Sequence, residues 1–437
     1  MADASKTSKK IAAEPAAKPT GSLVAALVRF GLIAALAAFM LKPYLFKSEE
    51  PPKSQPFHIA GQTMGTVWNA QICADAQTLA KKDLATDPNA EIAKSCEELL
   101  QRFVQRELDA VDLAASTFKP DSDASRFNRS QSTEWIPVSA TTAQIVSIAL
   151  DVAAKTGGAF DPTVAPLVEL YRFGPNKSPL VSFPTDDQIA KLRERVGYEK
   201  LEVRLGPEPA LRKSVPELTL DLSGVAKGFA VDRVAQALEA RGLSDYLVEV
   251  GGETRCGGQK TIFNFETNAL ERKPWLVGIE APEVVAAEPQ IPRLCRKISF
   301  DSAARPSASL ATSGDYRNYL HVGDLRFSHL IDPRSGKPTE IVEAGSNETG
   351  ERLGSVSVVA ETCAEADAFA TALFVLGEKD GLALADKLGL SVLYLFRADD
   401  SALEIREAAS QAFGTSVESE PIASADAAPR EPTPAAK

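Results

Sequence analysis

The sequence predicts an α+β domain over about residues 56–405 of a chain of 437 residues. One observation behind this prediction is that segments with apolar residues every three to five positions, typical of amphipathic helices, interleave with short apolar or alternating segments typical of strands. A second is that capping-box sequences at Thr185 and Thr362 mark the beginnings of two helices, while glycines mark several helix ends. No internal repeat is visible.

The same patterns place individual elements along this body. The expected helices are 92–115, 141–156, 185–197, 225–241 and 362–377, the last of which ends at Gly377. The expected strands are 218–220, 246–250, 275–279 and 391–396. Two segments, 257–273 and 342–353, interrupt the pattern and are expected to be insertions.

Both ends of the chain are expected to lie outside this body. Residues 1–22 are basic, residues 23–46 are mostly apolar, and residues 47–55 form a linker rich in Pro, Glu and Lys. The apolar run approaches the about 20 residues that cross a bilayer, so we expect an uncleaved single-pass anchor with the body outside the cytoplasm. A cleaved signal with a site at 35–37 stays open as an alternative. Residues 406–437, rich in Ala, Ser, Pro and Glu, are expected to be a disordered tail.

The composition argues against several kinds of function. Lys and Arg total 48 against 59 Asp and Glu, a formal net charge of −11, and such an acidic chain is a poor candidate for binding nucleic acid. The five cysteines form no CxxC pair, which argues against a zinc or iron–sulfur site. Because an extracytoplasmic body permits disulfides, we expect Cys256 and Cys295 to pair.

The segment from Asp221 to Gly228 is a candidate phosphate-binding motif. An acidic residue follows an expected strand, small residues make a turn, and a helix then begins. A helix N-terminus presents unpaired N–H groups and the positive end of the dipole, which suit a phosphate, and Lys227 adds a positive charge. An ordinary turn capped by Asp221 explains the same residues, because the segment is neither a Walker loop nor GxGxxG.

Asp367 and Thr371 form a candidate metal-binding pair. They lie four residues apart on one expected helix and therefore share a face. A carboxylate and a hydroxyl are oxygen ligands of the kind that Mg²⁺ takes when substrate phosphates and water complete its coordination. An acid in the first turn of a helix also favours the helix dipole, so the pair alone does not establish a metal site.

His329 is a candidate acid or base. It is one of three histidines, and it lies beside Asp332 and Arg334 in a segment whose Pro333 and Gly336 indicate a turn. A histidine can exchange a proton near neutral pH, although a single histidine is also often structural.

Two glycine-containing segments are candidate ligand walls. Gly157 and Gly158 would let the backbone approach a planar ligand next to the aromatic ring of Phe160, although they also suit a helix end. Met64 offers a flexible thioether beside Gly65, near the start of the body.

Taken together and in this order, these motifs resemble those of the ApbE family, the FAD:protein FMN transferases. The resemblance covers about residues 61–396. It rests on the segments 63–66, 118–128, 157–163, 221–228, 248–253, 311–316, 328–336 and 365–371.

The resemblance implies a fold related to the tunnelling fold and a Mg²⁺-dependent enzyme. Such an enzyme cleaves the pyrophosphate of FAD, joins the FMN phosphate to a Ser or Thr hydroxyl of an acceptor protein, and releases AMP. It implies His329 as the catalytic residue and Asp367, Thr371 and the Gly224 carbonyl as metal ligands. The residues that it places around FAD are Met64, Phe118, Ala159, Phe160, Asp161, Asp221, Lys227 and Ile331.

The resemblance also implies a location and partners. The catalytic body would lie on the periplasmic side of the inner membrane, and its acceptors would be flavin-bearing subunits of NADH:quinone oxidoreductase or Rnf-type complexes. Three features depart from the family pattern: Phe118 stands where a Tyr is common, an anchor replaces the usual lipid-attachment Cys, and segment 257–273 is inserted.

Two alternatives use the same residues. In the first, water replaces the acceptor hydroxyl and the protein is a Mg²⁺-dependent FAD pyrophosphatase. In the second, the protein is a membrane-tethered FAD carrier without catalysis, although His329 together with Asp367 and Thr371 argues against storage alone.

Overall fold

The computed structural model describes residues 55–74, 96–176, 178–264, 266–284, 292–300, 307–343, 351–400, 402–416 and 418–422. The predicted basic segment, the anchor at 23–46 and the linker up to residue 54 lie outside these residues. Among the helices that are described, none combines the length and apolarity that crossing a membrane requires.

Strands and helices interleave over the first half of the described chain, as the sequence predicts, but between Tyr246 and Ala360 the described elements are all strands. The strands are β1 (Gln55–Thr63), β2 (Thr66–Ala74), β3 (Ile136–Pro137), β4 (Leu201–Arg204), β5 (Ala210–Lys213), β6 (Tyr246–Val250), β7 (Glu253–Gly257), β8 (Lys260–Asn264), β9 (Ala269–Lys273), β10 (Trp275–Glu280), β11 (Leu294–Phe300), β12 (Ser307–Gly314), β13 (Tyr319–Val322), β14 (Leu325–Ser328), β15 (Ile331–Asp332), β16 (Lys337–Pro338), β17 (Ile341–Glu343), β18 (Arg352–Ala360), β19 (Ser391–Arg397), β20 (Ile405–Ala409) and β21 (Glu418–Pro421). The helices are α1 (Cys96–Ala115), α2 (Asp123–Arg129), α3 (Ala140–Lys155), α4 (Ala165–Leu170), α5 (Asp186–Arg193), α6 (Ser223–Glu239), α7 (Cys363–Leu388) and α8 (Phe413–Ser416), with a 3₁₀ turn at Tyr198–Lys200.

An eight-stranded antiparallel sheet organises the domain. Its strand order is β1-β2-β6-β7-β12-β18-β19-β20. Helices α1, α6 and α7 cover one face, α3 packs against these helices, and all four share a continuous apolar core with the sheet. The three-stranded sheet β10-β11-β21 covers the other face, where Trp275 and Ile298 pack against Leu310 and Leu393. The predicted α+β class is confirmed.

Local capping explains several helix ends. The Thr185 capping box is present, with the side chains of Thr185 and Gln188 each bonded to the other's backbone N–H. At the start of α7, the Thr362 hydroxyl accepts from the N–H of Glu365. The predicted end at Gly377 is a break rather than a stop, because Gly377 has a left-handed φ of 72° and helical residues then continue to Leu388.

The predicted strand at 218–220 is wrong. This segment is buried, but a side chain takes the place of a neighbouring strand: Asn128 donates to the Leu220 carbonyl at 2.9 Å and accepts from the Leu220 N–H at 2.7 Å. The Asp221 N–H donates to the Pro162 carbonyl at 2.8 Å. An apolar run with its backbone groups satisfied in this way needs no sheet.

The predicted tail boundary at 405 lies too early in the chain. Residues Ile405–Ala409 pair with β19, and Glu418–Pro421 pair with β11. Backbone pairing at a sheet edge needs few large side chains, and the buried Phe413 anchors the link between the two strands. The end of the predicted tail, from residue 423, lies outside the described residues.

The predicted disulfide is also wrong, since Cys256 and Cys295 are both free thiols. Cys256 lies on β7 in the central sheet, whereas Cys295 lies on β11 and donates to the Ile279 carbonyl at 3.4 Å. Burial raises the pKa of both thiols, to about 12 for Cys295. The insertion at 257–273 forms the hairpin β8–β9, paired from Lys260 with Lys273 to Asn264 with Ala269.

Replacing Asn128 by Ala should destabilise the domain. The change leaves the buried N–H and C=O of Leu220 without partners, and each orphaned buried group costs about 1–3 kcal/mol. We expect the free energy of unfolding, measured by urea denaturation, to fall by about 2–4 kcal/mol. The exposed Gln131→Ala change should alter it by no more than about 0.5 kcal/mol. Equal stability of the two variants would contradict this account of the 218–221 segment.

Candidate functional site

A cavity of about 1050 Å³ brings together all the residues that the sequence predicts for the site. They are Met64, Phe118, Ala159, Phe160, Asp161, Asp221, Gly224, Lys227, His329, Ile331, Asp367 and Thr371. The walls come from the β1–β2 turn, the ends of α1 and α3, the beginnings of α6 and α7, and strands β6, β10, β12 and β15. Its volume suits a large cofactor or dinucleotide. The described residues of the β8–β9 hairpin do not line it.

The beginnings of α6 and α7 meet at the floor of this cavity. A Cβ at Gly228 would collide with the Cys363 carbonyl, so only glycine allows the two backbones to approach this closely. The Asp232 carboxylate of α6 caps α7, accepting from the N–H groups of Cys363 and Ala364 at 2.9 Å each. Arg255 binds the same carboxylate at 2.6 Å. The contact fixes which turns of the two helices face each other.

Across this junction, one lysine lies between two buried acids. The Lys227 ammonium is 3.0 Å from Glu253 Oε1 and 3.6 Å from Asp367 Oδ1. Asp367 Oδ2 accepts from the N–H of Gly228 at 3.0 Å. Burial raises the pKa of both acids, that of Glu253 to about 7, although Lys227 opposes the shift. Burial opposes the charged form of Lys227, but Asp367 and then Glu253 raise its pKa, so its positive charge is held firmly.

The predicted metal ligands lie close together and carry oxygen atoms of the kind that a hard divalent cation binds. Asp367 and Thr371 lie one turn apart, and a Cβ on Gly224 would lie 3.2 Å from Thr371 Oγ1. Glu253 Oε2 is buried without a hydrogen-bond partner among the described residues, so one buried acceptor next to this cluster is unsatisfied. Mg²⁺ bound by few protein oxygens would add a positive charge beside these acids. Among the described residues, no group of three or more His, Cys, Asp or Glu forms a metal cluster.

The beginning of α6 is a turn rather than a side-chain cap. The N-cap residue is Leu222, without a side-chain cap, and Asp221 Oδ1 accepts from the Ser223 N–H at 2.9 Å just before it. Asp221, Ser223 and Gly224 line the cavity, so the first turn of α6 presents its positive dipole end to it. Lys227 follows on the same helix. No side chain of the described residues caps this helix end, which suits a phosphate.

His329 is half-buried and lines the cavity. Its Nδ1 lies 3.0 Å from the Asn318 carbonyl, and its backbone N–H donates to the same oxygen at 3.2 Å. Because a carbonyl only accepts, Nδ1 carries the hydrogen in this contact and Nε2 is left as the basic nitrogen. Burial lowers the pKa of His329, so the ring is neutral at pH 7. Phe173 packs against the ring edge-on, with centroids 6.1 Å apart.

The β1–β2 turn places Met64 in the cavity by means of a strained backbone. Thr63 pairs with Thr66, so Met64 and Gly65 form a two-residue hairpin turn with φ values of 48° and 74°. A left-handed conformation is uncommon for methionine and costs free energy. This unfavourable backbone conformation places the Met64 thioether at the cavity wall.

The 157–161 segment and Phe118 provide apolar walls. Ala159 and Phe160 are buried, while Phe118 is 60% exposed at the rim. The Asp161 carboxylate accepts from Thr163 N–H and hydroxyl and from the Tyr198 N–H, at 2.8, 2.6 and 2.9 Å. Asp161 therefore lines the cavity mainly as the residue that organises its own loop.

Sequence reasoning missed three polar residues in the walls. Glu253 binds Lys227, Ser313 lies 3.0 Å from the Thr371 hydroxyl, and Asn318 orients His329 through its carbonyl. Glu253 carries a readable signal, since it follows the Gly251-Gly252 turn directly. A backbone carbonyl such as that of Asn318 leaves no signal in a sequence.

Comparisons with known proteins agree with this geometry. Residues 64–394 match the ApbE family. The FAD:protein FMN transferase of Escherichia coli (strain K12) is 35% identical over 382 residues, which are 86% of this chain and 94% of that protein. The protein of that name from Vibrio cholerae serotype O1 is 34% identical and covers 87% of this chain and 97% of its own length.

Solved structures give the same result. Flavin transferase ApbE from Vibrio cholerae aligns with a TM-score of 0.62 and 33% identity, covering 83% of this chain and 99% of the other. The apo form of Pseudomonas stutzeri flavinyl transferase ApbE aligns with a TM-score of 0.63 and 29% identity, covering 84% and 98%. The chain described here belongs to the ApbE family.

Proposed function

We propose that this protein is an FAD:protein FMN transferase, which moves FMN from FAD to a Ser or Thr hydroxyl of an acceptor protein and releases AMP. The observation that carries the proposal is the meeting, in one cavity, of a helix N-terminus with a lysine, a set of oxygen ligands and a neutral histidine. The helix N-terminus, the lysine and the oxygen ligands suit a pyrophosphate with its cation. The neutral histidine suits removal of a hydroxyl proton.

The residues divide into a binding side and a proton-transfer side. On the binding side, the first turn of α6 and Lys227 hold the pyrophosphate, while Met64, Phe160 and Phe118 contact the rings of FAD. On the other side, His329 Nε2 takes the proton of the acceptor hydroxyl as its oxygen attacks the FMN phosphorus. The bond from that phosphorus to the bridging oxygen breaks, and AMP leaves with that oxygen.

A divalent cation belongs to this proposal. Asp367, Thr371 and the Gly224 carbonyl would hold Mg²⁺, whose role when bound is to neutralise charge on the pyrophosphate. Without it, Lys227 would be the main positive charge that Asp367 contacts.

The location and partners are proposed with the same reaction. Residues 23–46 would anchor the enzyme in the inner membrane with its body in the periplasm, as the apolar run indicates. Its acceptors would be flavin-bearing subunits of membrane redox complexes of the NADH:quinone oxidoreductase or Rnf type.

The reaction is tested with FAD, Mg²⁺ and a protein extract from cells that lack this enzyme. Transfer produces covalent flavin fluorescence in acid-precipitated protein, together with an equal amount of AMP. Release of FMN and AMP without covalent flavin would instead indicate the pyrophosphatase. Binding of FAD with no product would indicate the carrier.

Replacing His329 by Ala should separate chemistry from binding. We expect covalent transfer to fall by a factor of about 10² or more, the range for losing a general base, while the FAD dissociation constant and the melting temperature change little. His321→Ala, an exposed histidine that does not line the cavity, is the matched control. Parallel loss of stability, binding and transfer would mean that His329 is structural.

The rate of transfer should depend on pH through His329. Burial favours its neutral form, so its pKa lies below 6.5 and the basic form predominates down to mildly acidic pH. Transfer should therefore be constant near pH 7 and fall as pH drops through this lowered pKa, a limb measured from initial rates at saturating FAD. A limb centred above 6.5 would contradict the assignment.

Replacing Asp367 by Asn should abolish the transfer that Mg²⁺ supports. The amide oxygen can still accept from the Gly228 N–H, but the charged ligand is lost. We expect wild-type transfer to vanish with EDTA and return with Mg²⁺, and Asp367→Asn to show little transfer at any Mg²⁺ concentration. Glu361→Gln, which makes the same charge change at an exposed position, should behave as wild type. Normal Mg²⁺-dependent transfer in Asp367→Asn would remove the metal assignment.

A further inference from the structure

A buried ion pair that does not line the cavity lies close in the chain to residues that hold His329. Arg397, at the end of β19, donates to Asp315 through both terminal nitrogens, at 2.6 and 2.5 Å. Both side chains are 1% exposed. The same guanidinium lies 3.6 Å from Glu340 Oε2. Arg397 therefore joins two segments that are distant in sequence, one at 315 and one at 340.

Each of these segments is hydrogen-bonded to His329 or to the residues on either side of it. Three residues after Asp315, the Asn318 carbonyl accepts both the backbone N–H and Nδ1 of His329. On the other side, the Glu340 carbonyl accepts from the Ser328 N–H at 3.2 Å, and the Thr339 N–H donates to the Leu330 carbonyl at 2.8 Å. The residues immediately before and after His329 are thus bound to the Glu340 segment, and His329 itself to the Asp315 segment.

Stability alone does not require charges at this position. Removing two charges from water costs several kcal/mol per ion, and apolar replacements of buried ion pairs are often equally stable. A bidentate guanidinium–carboxylate contact does provide a fixed geometry that apolar packing does not. The contact fixes the position of the Asp315 and Glu340 segments, and these two segments hold the imidazole of His329 and its neighbours in the chain.

We propose that Arg397 is a positioning residue for His329: by binding Asp315 and Glu340 it fixes the two segments that set the orientation of the imidazole ring in the cavity. The inference rests on the proposed function, because it concerns the proton that His329 removes from the acceptor. Arg397 itself does not line the cavity.

The test is a double-mutant cycle between positions 397 and 329. Lysine at position 397 keeps the charge but cannot bind Asp315 through two parallel N–H groups. With FAD, Mg²⁺ and the protein extract described above, we expect Arg397→Lys to lower the rate of covalent transfer about 10- to 100-fold, the effect of a small misplacement of a catalytic group. The FAD dissociation constant should stay within about twofold of wild type.

The decisive measurement is the same substitution made in the His329→Ala protein. If Arg397 acts through the imidazole, Arg397→Lys should cause no further loss there, because coupled residues are not additive. A purely structural arginine would lower transfer by the same factor in both backgrounds, which would overturn the inference. Arg406→Lys is the matched control, since Arg406 binds Glu378 through two nitrogens, at 2.9 and 3.0 Å, away from the cavity.

A second variant guards against misfolding of Arg397→Lys. Asp315→Asn keeps the side-chain shape, removes one of the two oxygens that accept from Arg397, and is expected to lower transfer in the wild-type background only. The pH dependence of transfer is a further readout: His329 is faced by Lys227, which lowers its pKa, and by Asp315 and Asp221, which raise it, while burial has the largest effect. Since Arg397→Lys replaces none of these groups, the midpoint of the acidic fall in rate should stay where it is in the wild type while the maximal rate decreases.

The outcomes separate this inference from the proposed function. Full transfer in His329→Ala would overturn both the base assignment and the inference. Impaired His329→Ala with fully active Arg397→Lys and Asp315→Asn would overturn the inference alone. If the wild-type protein hydrolyses FAD to FMN and AMP and produces no covalent flavin, the transferase assignment is refuted. The double-mutant cycle is then measured on the rate of hydrolysis, and the inference again requires that the two substitutions are not additive.

Discussion

The site depends on the close crossing of α6 and α7 at Gly228. Without a side chain there, the backbone of α6 reaches the beginning of α7, and Asp232 fixes the contact by capping α7. This single crossing decides that Gly224 and Lys227, one turn apart on α6, face Asp367 and Thr371, one turn apart on α7. The sheet beneath, from β7 and β12, adds Glu253 and Ser313 to the same place.

The electrostatics of the crossing explain why it suits a ligand that brings both cation and phosphate. Two buried acids share one ammonium, and one carboxylate oxygen is left without a partner among the described residues. Such a cluster gains by adding positive charge. The first turn of α6 beside it gains by adding negative charge. A cation bound together with a pyrophosphate suits both the acidic cluster and the helix end, whereas a cation alone suits only the cluster and a pyrophosphate alone only the helix end.

Many helix starts and cavity residues could be predicted from the sequence, because the residues that specify them lie close together in the chain. The capping box at Thr185 and the Thr362 N-cap specify helix starts through residues three apart. The order of the motifs is specific enough to name the cavity residues. The misses are non-local. Asn128 takes the place of a strand partner for Leu220 from 92 residues away. Arg397 binds Asp315 across 82 residues. Residues 405–409 pair with the edge of the sheet although their composition resembles that of a disordered tail. No spacing in a single sequence reports such contacts.

The most direct test of this account is the affinity for FAD, measured by calorimetry with and without Mg²⁺, after adding one methyl group at the crossing. Gly228→Ala should force α6 and α7 apart and abolish the Mg²⁺-dependent part of FAD binding, with circular dichroism showing that the domain still folds. Gly414→Ala, where a Cβ meets open space, should bind as wild type. Unchanged Mg²⁺-dependent FAD binding in Gly228→Ala would contradict the claim that the helix crossing builds the site.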